Sequence, residues 1–125
     1  MEDQNDSKAA IRECNTKDDF QELLDASVSK PIILFKHSTA CGISAWALVQ
    51  FTRFAEQNDR AEYCRVLIRE NRNLSLFIAE TTGIRHETPQ VILFHDGRAV
   101  ASLSHRDITK SALATMLNRF LDQRR

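Results

Sequence analysis

Pro31-Ile32-Ile33-Leu34-Phe35-Lys36-His37-Ser38-Thr39-Ala40-Cys41-Gly42-Ile43-Ser44 is the stretch on which the reading of this chain turns. Ile32 to Phe35 is a continuous apolar run of strand length opened by a proline, and its lack of polar alternation predicts a central strand covered on both faces. Lys36 to Ala40 then reads as a polar loop. From Gly42 to Asn58 the apolar positions Ile43, Ala47, Phe51 and Phe54 recur every three or four residues, which is one stripe of a long amphipathic helix. Cys41 therefore stands at the junction between a strand and a helix.

Working outward, Thr16 to Ser27 places Phe20, Leu23 and Leu24 at helical spacing, and Thr16 with Asp19 three positions later forms a variant capping box. Ile11 to Cys14 is a short candidate edge strand before that helix. Tyr63 to Arg69 is rich in strand formers, and Leu74 to Thr82 reads as a short helix stopped by Gly83. Val91 to His95, Asp96-Gly97 and Arg98 to Ser104 predict a hairpin with a two-residue turn. Thr109 to Leu121 closes the chain with a helix whose Leu113, Met116, Leu117 and Phe120 share a face. The order is β-α-β-α-β-α-β-β-α. Alternating strands and helices require parallel pairing, and the hairpin adds antiparallel strands, so an α/β fold with a mixed central sheet and helices on both faces is expected. That is a thioredoxin-like arrangement.

A chain of 125 residues, 42% apolar, fits one domain with one continuous core. A flexible amino terminus is expected over 1–10 and a single domain over 11–125. Seventeen basic residues balance seventeen acidic ones, so there is no net field to hold a phosphate backbone, and nucleic acid is not an expected partner. Residues 1–62 stand at −4 and residues 63–125 at +4, which is read as solvated surface. Three cysteines at wide spacing suit neither a disulfide-stapled scaffold nor a zinc knuckle. With no basic start followed by an apolar segment and no long apolar run, neither a signal peptide nor a membrane span is expected. A soluble, cytoplasmic monomer in a reducing compartment is the reading.

The junction makes Cys41 the candidate nucleophile. Unpaired amides and the positive end of a helix dipole favour a thiolate over a thiol there. The competing reading, a small buried hydrophobe, is opposed by the polar neighbours Ser38 and Thr39. Cys41-Gly42-Ile43-Ser44 has the spacing of a redox Cys-X-X-Cys motif with serine in the second thiol's place, so the resolving thiol has to come from elsewhere. Cys64 alternates with Val66 and Ile68 and is expected to be packed and inert; Cys14 is remote from Cys41. The Ser44 hydroxyl is placed either against the Cys41 sulfur or on an ordinary helix surface. His37 and His86 flank the two loops and are candidates to stabilise a thiolate or move a proton, with surface positions the simpler reading for both. A metal site from His37, Cys41 and His86 wants a fourth ligand, and none is evident, so no metal is expected. Thr88-Pro89 precedes a strand, and either isomer of its bond is compatible with the sequence.

Phe35 to Ser44, Arg72 to Glu80 and His86-Glu87-Thr88-Pro89-Gln90, extended by Ser104 to Thr109, together resemble the YtxJ-like family of monothiol bacilliredoxins from about residue 12 to the end. Gly42 stands where that family usually has proline, and Thr88 where it has serine. Cys-Gly-Ile-Ser is also similar to the Cys-Gly-Phe-Ser signature of monothiol glutaredoxins that carry iron–sulfur clusters, but Ser104 and His105 replace the paired glycines of those proteins. The resemblance implies a cis Thr88-Pro89 bond facing Cys41 and a Thr88 main chain that pairs with substrate. It implies thiol–disulfide exchange with S-thiolated proteins, no bound cofactor, and bacillithiol or another small thiol as cosubstrate. Catalysis falls to Cys41, supported by Ser44, His37, Thr39 and Gly42, and substrate binding to Thr88, Pro89 and His86. An iron–sulfur carrier and a non-catalytic interaction module are the alternatives.

Overall fold

The computed structural model describes residues 10–123, so the expected flexible stretch at 1–10 lies outside the described residues except for Ala10. The elements are β1 (Ile11–Glu13), α1 (Lys17–Ala26), β2 (Ile32–His37), α2 (Gly42–Gln57), β3 (Glu62–Leu67), α3 (Arg72–Thr82), β4 (Gln90–His95), β5 (Arg98–Ser104) and α4 (Lys110–Gln123). A single 3-10 turn, His105–Asp107, separates β5 from α4. The sheet order is β1-β3-β2-β4-β5. β1 and β2 run parallel to β3, whereas β4 is antiparallel to both β2 and β5.

Every residue of β2 is buried, as the unbroken apolar run predicts. Ile33 and Phe35 face one layer, with Ala47, Phe51 and Phe54 of α2 and Leu113 and Leu117 of α4. Ile32 and Leu34 face the other, with Phe20 and Leu23 of α1 and Leu74 and Ile78 of α3. The period of two along a strand separates these two clusters, and the period of 3.6 along each helix supplies their partners. Phe51 stacks on Phe35 at a 5.1 Å centroid separation and meets Tyr63 edge-on at 5.7 Å, joining α2 to both β2 and β3.

Local rules operate where the sequence places them. Thr16 Oγ1 accepts from Asp19 N–H, and the Asp19 carboxylate accepts from Thr16 N–H, completing the capping box. Gly83 ends α3 at φ 74°, a left-handed conformation that glycine adopts without steric cost. Asp96 and Gly97 both have positive φ, as a tight hairpin turn demands. The tip of that hairpin is tied to α1, because Asp96 N–H donates to Ser27 O and Gly97 N–H to Ser27 Oγ, each at 2.9 Å.

Several boundaries differ from the sequence reading. Lys36 and His37 belong to β2, paired with Val66 and Leu67, and not to the loop. β3 stops at Leu67 instead of continuing to Arg69, because Asn71 N–H turns back to the Leu67 and Ile68 carbonyls. α3 begins at Arg72, two residues before its first buried side chain, since its opening turn is polar and exposed. Among the described residues no helix is long and apolar enough to cross a membrane.

Phe51 bridges three elements and is fully buried. Phe51→Ala is expected to lower the unfolding free energy by about 3 to 5 kcal/mol, read as a reduced urea midpoint at unchanged m-value.

Candidate active site

The carboxyl ends of β2 and β3 and the start of β4 form one rim of the sheet. β2 leaves that rim through Ser38, Thr39 and Ala40, and α2 begins immediately after Cys41. Cys41 is the N-cap of α2, with extended backbone (φ −118°, ψ 122°), and its carbonyl accepts from Ala45 N–H at 3.0 Å. No side chain caps this helix and no acidic residue occupies its first turn. The opening amides of α2 are therefore left without a side-chain acceptor or a neighbouring acid in its first turn. Cys41 is partly exposed. Gly42, the first residue of α2, leaves open space where a Cβ would sit. Thr39 is exposed in the connecting loop.

The other two thiols occupy a different environment. Cys14 and Cys64 are buried in the layer of α1 and α3, and both are free. Burial pushes the Cys14 thiol up to about 12, helped by the neighbouring Cys64 and Asp19. Cys64 is raised to about 11, again mainly by burial. Neither is a nucleophile at neutral pH, because the thiolate is the reacting form.

Ser44 is placed differently from either sequence expectation, and His37 differently from the simpler, surface one. Ser44 is fully buried; its Oγ accepts from Ser38 N–H at 3.0 Å and shares a 2.7 Å hydrogen bond with Nδ1 of His37. It closes the loop between β2 and α2 and lies neither on the helix surface nor on the cysteine sulfur. The buried stripe of α2 accordingly opens with Ser44, and Ile43 is only partly covered. His37 is no surface histidine: it is buried and stacks on Phe35 at 5.6 Å. Burial, assisted by the Arg65 charge, lowers the His37 pKa below its ordinary value.

The antiparallel register pairs Lys36 with Gln90, so the turn that ends in Pro89 lies beside the carboxyl end of β2. The Thr88-Pro89 peptide bond is cis. Pro89 is buried, Thr88 partly so, and the Pro89 carbonyl accepts from His105 N–H at 2.9 Å. His86, partly buried and not freely exposed, meets Thr88 Oγ1 through Nε2 at 3.3 Å, and its Nδ1 is buried without a hydrogen-bond partner. Its pKa is lowered by burial first and the Lys36 charge second. With both histidines neutral at pH 7, positive charge on imidazole does not hold a thiolate at this rim. Among the described residues no three His, Cys, Asp or Glu side chains gather as a metal site would require.

Sequence reasoning missed two residues. Lys36 is completely buried and donates from Nζ to Gln90 Oε1 at 3.0 Å, and Gln90 is itself buried. The available signal was a lysine continuing an apolar run that demands cover on both faces. Glu87 pairs with His105 Nε2 at 3.1 Å, tying the turn before Pro89 to the exit of β5.

Solved structures place this arrangement. A thioredoxin-fold protein described as a candidate oxidoreductase is 32% identical, covering 84% of this chain and 91% of its own, with a TM-score of 0.77. The thioredoxins of Malassezia sympodialis (17% identity, 90% of this chain and 91% of that one) and Fasciola hepatica (17%, 87% and 98%) each superpose with a TM-score of 0.72. Fold and comparison together define a thioredoxin-fold thiol–disulfide oxidoreductase. More narrowly, a family model described as monothiol bacilliredoxin BrxC matches residues 12–113, and the chain belongs to that family.

Two outcomes follow from the site. Iodoacetamide applied to the native protein at about pH 8 is expected to label Cys41 alone, with Cys14 and Cys64 labelled only after unfolding, as read by peptide mass spectrometry. The lowered histidine pKa values give a sign for acid stability: below about pH 6.5 the unfolded chain takes up protons at His37 and His86 that the folded chain refuses. Stability is thus expected to be retained above that pH and to fall as pH drops through it, and His86→Gln is expected to reduce the slope of the urea midpoint against pH.

Proposed function

We propose that the protein removes bacillithiol, or a similar small thiol, from S-thiolated proteins, with Cys41 as the nucleophile. The observation that carries this reading is the contrast among three thiols: one partly exposed at an uncapped helix start and two sealed in the core. In the first step the Cys41 thiolate attacks the small-thiol sulfur of a mixed disulfide. The S–S bond of the mixed disulfide breaks, the protein sulfur leaves as a thiolate and takes a proton from solvent, and Cys41 retains the small thiol as a disulfide. A second small thiol then attacks that adduct, releasing a low-molecular-weight disulfide and regenerating Cys41. Two electrons pass from small thiols to the protein substrate, and no other cysteine of this chain takes part.

The supporting residues have distinct tasks in this reading. Ser44 and His37 hold the loop that carries Cys41. Gly42 and its following amides form the opening of α2. Thr88 and Pro89 present main chain to the substrate, and His86 orients Thr88. Three free thiols suit a reducing, cytoplasmic setting, and the substrates are S-thiolated proteins met by a monomer.

Intact mass after incubation with oxidised bacillithiol is expected to show a single adduct that disappears in Cys41→Ser. Release of the small thiol from an S-bacillithiolated protein is expected to fall at least about a hundredfold in the same variant. An adduct retained in Cys41→Ser, or one located on Cys64, refutes the reading.

A further inference from the structure

Lys36 is an ammonium group with no exposed surface, on the central strand of the sheet, five residues before the candidate nucleophile. Such burial costs stability unless the charge is well paired, and apolar side chains of similar volume serve a core better. The surroundings give it little electrostatic return. From β3 its neighbour in register is Val66, which is apolar. From the segment before Pro89 it faces Glu87, whose charge favours the ammonium, and His86, which is held neutral. From β5 and its exit come the Ser104 hydroxyl, through Gln90, and His105, already paired with Glu87.

What the ammonium does hold is Gln90. That side chain accepts from Lys36 Nζ at 3.0 Å, donates from Nε2 to the Arg85 carbonyl at 2.9 Å, and reaches Ser104 Oγ at 3.4 Å. One buried amide thus joins three pieces of chain: the centre of the sheet, the segment leading to Thr88-Pro89, and the end of β5. Its oxygen is fixed by a charge, and fixing the oxygen fixes which way the nitrogen points. The geometry points to Lys36 as a positioning residue for thiol–disulfide exchange: acting through Gln90, it sets segment 84–89 so that Thr88 and Pro89 meet the substrate beside Cys41. This rests on the reading of Cys41 as the nucleophile.

The charge on Lys36 is also adjustable within the range where thiol enzymes are assayed. Burial lowers its pKa to about 8, against the opposing pull of Glu87. A charge-assisted hydrogen bond is roughly twice as strong as a neutral one, so the clamp on Gln90 loosens as pH rises through that value. Docking-dependent reactions are then expected to lose efficiency above about pH 8, whereas a small reagent that needs only the thiolate does not.

The test compares two reactions of the same sulfur. Exchange with an S-bacillithiolated peptide and alkylation by iodoacetamide are each timed from about pH 6.5 to about pH 9.5 in the wild type, Lys36→Met and Lys36→Gln. In the wild type the ratio of exchange to alkylation is expected to fall about fivefold across pH 8. In Lys36→Met it is expected to be low already at about pH 7 and flat thereafter, with alkylation within about twofold of wild type. Hydrogen exchange gives a readout free of the reaction: the His105 amide, which donates to the Pro89 carbonyl, is expected to lose protection in Lys36→Met while 32–35 and 91–94 keep theirs. Wild-type ratios and wild-type protection in both variants would overturn the assignment, as would equal loss of exchange and alkylation. If either variant fails to fold, the wild-type pH series and its hydrogen exchange at about pH 7 and about pH 9 decide the matter alone. Absence of exchange in the wild type at every pH refutes the reading of Cys41 instead, and leaves the protection of the His105 amide to judge Lys36.

Discussion

The constraint on which the molecule depends is that β2 is covered on every side. It has β3 and β4 as hydrogen-bonded neighbours and a helical layer on each face, and all six of its residues are buried. A backbone in that position has no route to solvent except along its own axis. The chain therefore emerges at the rim, and the first residues free of the sheet lead directly to Cys41. Cys41 stands where it does because of where the central strand is obliged to end: α2 must start there to return its apolar face to Phe35, and the candidate nucleophile is its N-cap.

A one-thiol site poses a structural problem that a two-thiol site does not. In Cys-X-X-Cys the fourth residue belongs to the reaction; in this chain it has become part of the scaffold. Ser44 is turned inward, where it joins the Ser38 amide and the His37 ring, so the loop between strand and helix closes on itself. His37 in turn lies flat against Phe35. The stack from Phe51 through Phe35 to His37 and Ser44 runs unbroken from the core to the rim, so the position of the reactive junction is set by aromatic packing and not by loop composition alone.

Much of this was legible in the sequence, because the deciding patterns are local. An apolar run of strand length, a capping box, a Gly83 stop and an Asp-Gly turn each specify backbone over a few residues, and their order fixes the topology. Cys41 was legible for the same reason, since a strand-to-helix junction can be read from periodicity. The misplaced residues share a different property. His37, Ser44 and Lys36 are polar side chains whose burial depends on partners brought in by the fold, and local rules assign such residues to the surface. Lys36 is the extreme case: a lysine at a strand end ordinarily extends its ammonium to water, and only the cover provided by residues 84–90 prevents it. The Thr88-Pro89 isomer was open because both forms suit a proline at the head of a strand.

The tie between Ser27 and the hairpin tip, at the pole of the sheet opposite the reactive rim, has a longer reach than its two hydrogen bonds suggest. Antiparallel strands that slip by a single residue turn each side chain to the opposite layer. β4 and β5 contain an irregularity at Leu93 and Phe94, which bends the pair and increases its twist. By anchoring Asp96 and Gly97 to the end of α1, Ser27 opposes such a slip. Gln90, a strand's length away, consequently keeps to the side of the sheet where Lys36 awaits it, and the far pole acts as the datum from which the reactive one is measured.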